Sequence, residues 1–126
     1  GLSTRRRELL VLAVAAERDS AYVWHQHVRI ALSNGLSEAE ILAVADGDPD
    51  PFDDAEVALL AYARAYARDD VDDATHEAAA AVFDEPTLVA LGMSVCFYLT
   101  IVHTMHAFDV ETEEPFVGWD LANASR

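Results

Sequence analysis

Two histidines lie two positions apart in the segment DSAYVWHQH, residues 19–27. Histidine exchanges protons near neutral pH, so either ring could act in acid/base catalysis. Because successive helix residues turn by about 100°, the two rings point to opposite faces of the predicted helix. His27 shares a stripe with Val23 and Trp24, which we expect to line its pocket, whereas His25 lies on another side. The spacing therefore predicts that His27 points inward and that His25 does not.

Glu8 is the candidate partner of His27. The chain between them is predicted to break into two antiparallel helices, and the two residues lie at similar distances from the break, so they can meet across the helix pair. A carboxylate that orients an imidazole makes an acid/base pair. The structural alternative is a first-turn acid stabilised by the helix dipole. Ser20 and Tyr22, at the start of the second helix, are candidate hydroxyl donors to the same catalytic pocket.

His103 and His106 form a second constellation, in the last predicted helix. Residues three apart share one helix face, and these two are roughly in line with Cys96. Such a pair can ligate zinc or another transition metal, with Glu8 or His27 as a further ligand. The alternative is that the two histidines pack at a subunit contact or form hydrogen bonds with each other and with water. We favour no metal and expect no cofactor.

Apolar spacing and capping residues predict six helices and no strands. Gly35 is suited to ending the second helix, and the pairs Ser37–Glu40 and Asp53–Glu56 have the spacing of capping boxes. The predicted fold class is an all-α, single-domain helical bundle. The predicted helices cover about residues 4–18, 21–34, 37–45, 53–68, 73–83 and 86–108.

The domain is expected to span residues 1–109, followed by a tail over 110–126. The helix at 86–108 is nearly all apolar, so we expect it to be buried on most sides, either centrally or in a subunit interface, with Cys96 inside. No apolar run is expected to reach the length of a membrane span. The aromatic residues of the tail must dock either on their own domain or on a neighbouring subunit.

The composition excludes some classes of partner. Asp and Glu number 23 against eight basic residues, for a net charge of −15. Such a surface repels nucleic acid and disfavours anionic membranes. It fits either a solvated acidic surface or a salt-rich, halophilic cytoplasm. A single cysteine excludes an intramolecular disulfide and is consistent with a cytoplasmic location.

The segment RELLVLAVAAERDSAYVWHQHVRIALSNGLSEAEILAV resembles the carboxymuconolactone decarboxylase-like family, which includes the alkylhydroperoxidase D-like proteins. The matching pattern covers about residues 3–45. It consists of an R-E-L, a Tyr-x-Trp-x-x-His, an A-x-x-x-G-L-S turn and an E-I. The resemblance implies a helical alkylhydroperoxidase D-like fold that assembles as a homotrimer or homohexamer.

In the peroxidase branch of that family, a glutamate, a C-x-x-C motif and a histidine occupy one frame. Here the frame falls on Glu8, Ser20, Val23 and His27, so both cysteines are absent. A dithiol cycle needs one attacking and one resolving thiol, and Cys96 matches neither position. Residual alkylhydroperoxidase activity is therefore disfavoured.

The decarboxylase side of the family implies acid/base chemistry on a small organic acid or lactone. The alternative is a non-enzymatic or degenerate binding oligomer that kept the fold and lost the chemistry. An anionic lactone would need a cationic partner. The candidates are Arg5, Arg6, Arg7 and Arg29, and the helical spacing does not place any of them clearly inward.

Overall fold

The computed structural model describes residues 2–122 and 124, so Gly1 and three residues of the predicted tail lie outside the described part. The described chain contains six α-helices and no strands, which confirms the predicted all-α class. The fifth helix ends earlier than predicted, because the chain turns before the Asp84 cap of the next helix. The helices are α1 Thr4–Glu17, α2 Ala21–Ser33, α3 Glu38–Asp46, α4 Asp54–Ala67, α5 Asp73–Ala80 and α6 Glu85–Ala107.

Each helix begins at a serine or aspartate whose side chain accepts a hydrogen bond from a backbone N–H of the first turn. Such a cap contributes about 1 kcal/mol. Both predicted capping boxes, Ser37–Glu40 and Asp53–Glu56, are confirmed. Gly35 has a φ of 94°, the left-handed region that favours glycine after a helix.

The central element is α1, which packs against α2, α3, α4 and α6. Its residues from Glu8 to Ala15 are all buried, so it is covered on every side. By contrast, α6 buries one face only, and Val89, Met93 and Phe97 are exposed on another. The expectation of a central last helix within this chain is therefore wrong. Cys96 is likewise exposed, not buried as expected, because it lies outside the face of α6 that meets the bundle.

The helix α6 is also the one described helix that is long and apolar enough, by length and composition, to cross a membrane. Its best 18-residue window has a mean hydropathy of 1.8. The expectation that no apolar segment reaches that length is thus wrong, because serine, threonine and glycine interrupt the apolar run but lower its mean hydropathy little. A single such helix does not by itself indicate a membrane protein.

The described part of the tail docks on α2 of its own chain. The indole N–H of Trp24 donates to the carbonyl of Gly118 at 3.1 Å, and the rings of Trp24 and Trp119 lie 4.8 Å apart. The N–H of Val117 donates to Nδ1 of His25 at 3.0 Å. The prediction that His25 points away from the interior is therefore wrong, because the returning tail buries the face that carries it.

Arg5 ties three helices together. Its Nε donates to Glu56 at 2.6 Å, and its guanidinium also bonds Glu40. These two glutamates are the capping-box acids of α4 and α3. One arginine of α1 therefore holds the first turns of both helices against the central helix.

Replacing this arginine, as Arg5→Ala, should lower the free energy of unfolding by about 1–3 kcal/mol, because two neighbouring carboxylates lose their shared cation. The estimate is reduced for solvent screening, since the Arg5 side chain is 36% exposed. Urea denaturation measures the change. Arg18→Ala removes the same charge from the exposed end of α1 and serves as the control. Equal effects of the two substitutions would contradict the prediction.

The effect should also depend on pH. The hydrogen bond from Arg5 lowers the pKa of Glu40, so the unfolded chain binds a proton there before the native state does. This stabilisation is complete above the ordinary glutamate pKa and is lost as the pH falls through the lowered one. The stability difference between wild type and Arg5→Ala should therefore shrink as the pH falls below the ordinary glutamate pKa of 4.5.

Candidate active site

A carboxylate lies inside the bundle at Glu8, whose side chain is only 1% exposed. The residue opens the buried run of α1 and directly follows the three arginines of the first turn. An ionised carboxylate in such a place is costly unless other groups bond to it. Its neighbours on other helices therefore decide what it can do.

Two cations or potential cations bond to this carboxylate. Nδ1 of His27 lies 2.9 Å from Oε1 of Glu8, and Nε of Arg7 donates to Oε2 at 3.4 Å. The histidine comes from α2 and its side chain is 19% exposed, so the imidazole reaches solvent although the carboxylate does not. The predicted meeting of Glu8 and His27 across the first helix pair is confirmed as geometry, while their chemical role stays a prediction.

The arrangement assigns different tasks to the two nitrogens of His27. A carboxylate accepts the Nδ1–H proton, which fixes the tautomer and leaves Nε2 as the nitrogen that can exchange a proton with a ligand. Glu8 itself is too deeply buried to meet a ligand. It can orient the imidazole through the contact with Nδ1.

Tyr98 is a third member of the site that the sequence analysis missed. Its ring lies edge-on to that of His27, with centroids 5.6 Å apart and an interplanar angle of 86°. Burial raises the pKa of its phenol, and the Glu8 carboxylate raises it further, while Arg7 lowers it. The sequence did contain a signal that Tyr98 faces the bundle. The residues at 91, 95, 98 and 102 are spaced by four, three and four, as on one helix face, and Leu91, Val95 and Val102 are buried.

The structure also distinguishes among the candidate cations. Arg5 binds the two capping-box glutamates, Arg6 lies over the ring of Phe83 at 5.4 Å, and Arg29 donates to the carbonyl of Pro115. Arg7, whose guanidinium bonds Glu8, is thus the candidate that contacts the site. It is half-exposed, so it can also meet an anion from solvent.

The remaining predicted site residues have structural contacts. The hydroxyl of Ser20 caps α2 by accepting from the N–H of Val23 at 3.3 Å. Val23 and Trp24 are buried in the core, and Tyr22 is half-buried against it. Their roles in catalysis stay predictions.

The two candidate metal ligands of α6, His103 and His106, have different surroundings. His106 Nε2 is 3.3 Å from the carbonyl oxygen of Asp19, and His103 lines a cleft of about 800 Å³ together with Cys96. Among residues 2–122 and 124, no group of three or more histidines, cysteines and acids is placed to hold a metal ion. The third ligand that the metal hypothesis required is therefore not found in that part of the chain.

A comparison with known protein families gives a match over the first half of the chain. Residues 1–65 match the model of a family described as the carboxymuconolactone decarboxylase family. The matched span contains Glu8 and His27 and ends within α4, before Tyr98. The search of curated proteins and the search of solved structures found no match.

The buried Glu8–His27 pair is predicted to lower the stability of the fold relative to apolar packing at the same place. Replacing both members with apolar residues, as Glu8→Leu with His27→Leu, should raise the free energy of unfolding by about 1–3 kcal/mol, because the buried carboxylate and its partner are removed together. Glu8→Leu alone should be destabilising, because it leaves the imidazole and the Arg7 guanidinium without their partner. Thermal or urea unfolding measures the changes. Glu17→Leu, at the other end of the same helix where two arginines bond the carboxylate, should be mildly destabilising. A loss above about 1 kcal/mol in the double variant would show that the pair stabilises the fold.

Proposed function

Since the chain belongs to the carboxymuconolactone decarboxylase family, we propose that it catalyses acid/base chemistry on a small organic acid or lactone. His27 is the proposed acid/base residue and Glu8 its positioning partner. The observation that carries the proposal is the 2.9 Å contact between Glu8 Oε1 and His27 Nδ1, with the carboxylate buried and the imidazole partly exposed. The partly exposed imidazole is the member of the pair that is open to solvent, whereas the carboxylate is not.

The proposed chemistry is a proton transfer at Nε2 of His27. Glu8 holds the ring in the tautomer whose Nε2 carries a lone pair, and it stabilises the imidazolium that forms after proton uptake. Arg7 supplies a positive charge at the rim, which favours a substrate that carries a carboxylate. General acid/base catalysis of this kind contributes about 10²–10⁴-fold to rate.

Residual alkylhydroperoxidase activity is a weaker proposal. Such a cycle needs a thiolate that attacks the peroxide and a second thiol that resolves the product. The chain has one cysteine, so a second thiol would have to come from outside it.

We further propose that the chain assembles with copies of itself, as a homotrimer or homohexamer, through the exposed face of α6. Val89, Met93 and Phe97 follow one another at four-residue spacing on that face, and Met93 is 66% exposed. Between Glu85 and Asp109 the sequence carries no Asp, Glu, Lys or Arg. In a chain of net charge −15, this face is where two copies can meet with the least repulsion.

The catalytic proposal is tested with carboxymuconolactone and a small panel of related lactones. His27→Ala should lower kcat/KM by at least about 100-fold, because the proton-transferring group is lost. His76→Ala, which removes an exposed imidazole from α5, should leave it unchanged. Equal rates in wild type and His27→Ala would contradict the proposal. If wild type turns over none of the lactones, the binding-oligomer alternative is favoured.

The assembly proposal predicts that Met93→Glu shifts the protein toward monomer, because it places like charges opposite one another in an apolar interface. Analytical ultracentrifugation measures the mass. Ala78→Glu adds the same charge to an exposed position of α5 and should leave the oligomer intact. A wild-type protein that is monomeric at micromolar concentration would rule out this interface.

A further inference from the structure

Tyr98 reaches the Glu8–His27 pair from the far end of the sequence. Its edge-on contact with the imidazole restrains the plane of the His27 ring, which Glu8 already holds through Nδ1. Phe97 in turn packs edge-on against Tyr98, with centroids 5.2 Å apart. The ring of Tyr98 is therefore held from two sides beside the imidazole of His27.

Exposure orders these groups from the interior outward. Glu8 is buried, His27 is 19% exposed, and Tyr98 is half-buried. The side chains of His27 and Tyr98 therefore have surface that solvent reaches, whereas the carboxylate of Glu8 has almost none. The two accessible groups have complementary chemistry, since one transfers protons and the other donates a hydrogen bond.

The surroundings of the Tyr98 phenol favour its protonated form. Burial and the nearby Glu8 carboxylate both raise the pKa of Tyr98, and Arg7 offsets only part of this effect. The group is therefore a hydrogen-bond donor at neutral pH. A donor held in a partly desolvated site is suited to stabilising an oxygen that gains negative charge in a transition state.

We propose that Tyr98 is a further catalytic residue, whose phenol O–H donates a hydrogen bond to the substrate oxygen that becomes negatively charged. This inference rests on the proposed function. In the decarboxylation of a lactone acid, the bond to the carboxylate carbon breaks, CO2 leaves, and the electron pair passes to the lactone carbonyl oxygen. His27, which has first taken up a proton at Nε2 from water, then gives that proton to the ring carbon and returns to the tautomer whose Nε2 carries a lone pair. Tyr98 holds the oxyanion meanwhile and keeps its own proton.

The first test is Tyr98→Phe, which keeps the ring and its edge contact with His27 and removes only the O–H. With carboxymuconolactone, kcat should fall about 100-fold while KM changes less than about threefold, as for loss of one oxyanion donor. Tyr66→Phe is the matched control, since that tyrosine packs on α6 at Gly92 and does not share the described contacts of His27. A kcat of Tyr98→Phe within about twofold of wild type would overturn the inference.

The second test does not depend on turnover. Tetronate, the anion of a cyclic enol lactone, mimics the proposed oxyanion, and calorimetry measures its binding. Tyr98→Phe should weaken binding at least about tenfold and Tyr66→Phe should not, with circular dichroism confirming the fold. Equal binding to wild type and Tyr98→Phe, or no binding to wild type, overturns the inference. If binding weakens as expected but His27→Ala keeps full turnover, the acid/base proposal fails and the role of Tyr98 as oxyanion donor stands.

Discussion

A carboxylate in the middle of the bundle constrains the rest of the structure. Removing Glu8 from water costs several kcal/mol unless groups on neighbouring helices bond to it. The bonds from His27 and Arg7 offset that cost, and they exist only when α2 packs on α1 at one register. Sliding α2 by one turn would leave a buried charge without its imidazole. The need to provide bonding partners for the buried Glu8 carboxylate therefore also fixes how α1 and α2 pack.

Two neighbouring turns of α1 organise the other helices. Arg5 bonds the capping acids of α3 and α4, and Glu8, one turn further, bonds α2 and lies close enough to influence Tyr98 on α6. Because Arg5 and Glu8 are three residues apart, they lie on neighbouring parts of one helix face. The structural ion pairs therefore support the site directly. They hold α1, the helix that carries Glu8, and the Glu8 carboxylate in turn sets the position of His27 on α2.

Local features could be predicted from the sequence, and so could one long-range contact. Helix starts follow from caps that act within four residues, and Glu8 could be paired with His27 because a short break makes the two helices antiparallel neighbours. Tyr98 could not be paired in this way, since its position depends on how α6 packs after four intervening helix connections. The predictions that His25 points outward and that Cys96 is buried were wrong for the same reason. The burial of His25 depends on the returning tail, and the exposure of Cys96 depends on how α6 packs on the bundle.

The two histidines of α2 serve two different contacts that restrain the same helix. His25 accepts a hydrogen bond from the tail, and His27 bonds Glu8 on a face about 200° away. Rotation of α2 about its axis would break both contacts at once, so the docked tail helps keep the imidazole of His27 turned toward the carboxylate. The family match covers this pair but neither the tail nor Tyr98. The Glu8–His27 contact therefore lies in the part of the chain that the family model describes, together with Arg5 and Arg7. The docked tail and Tyr98, which restrain α2 and the His27 ring from other sides, come from the part beyond it.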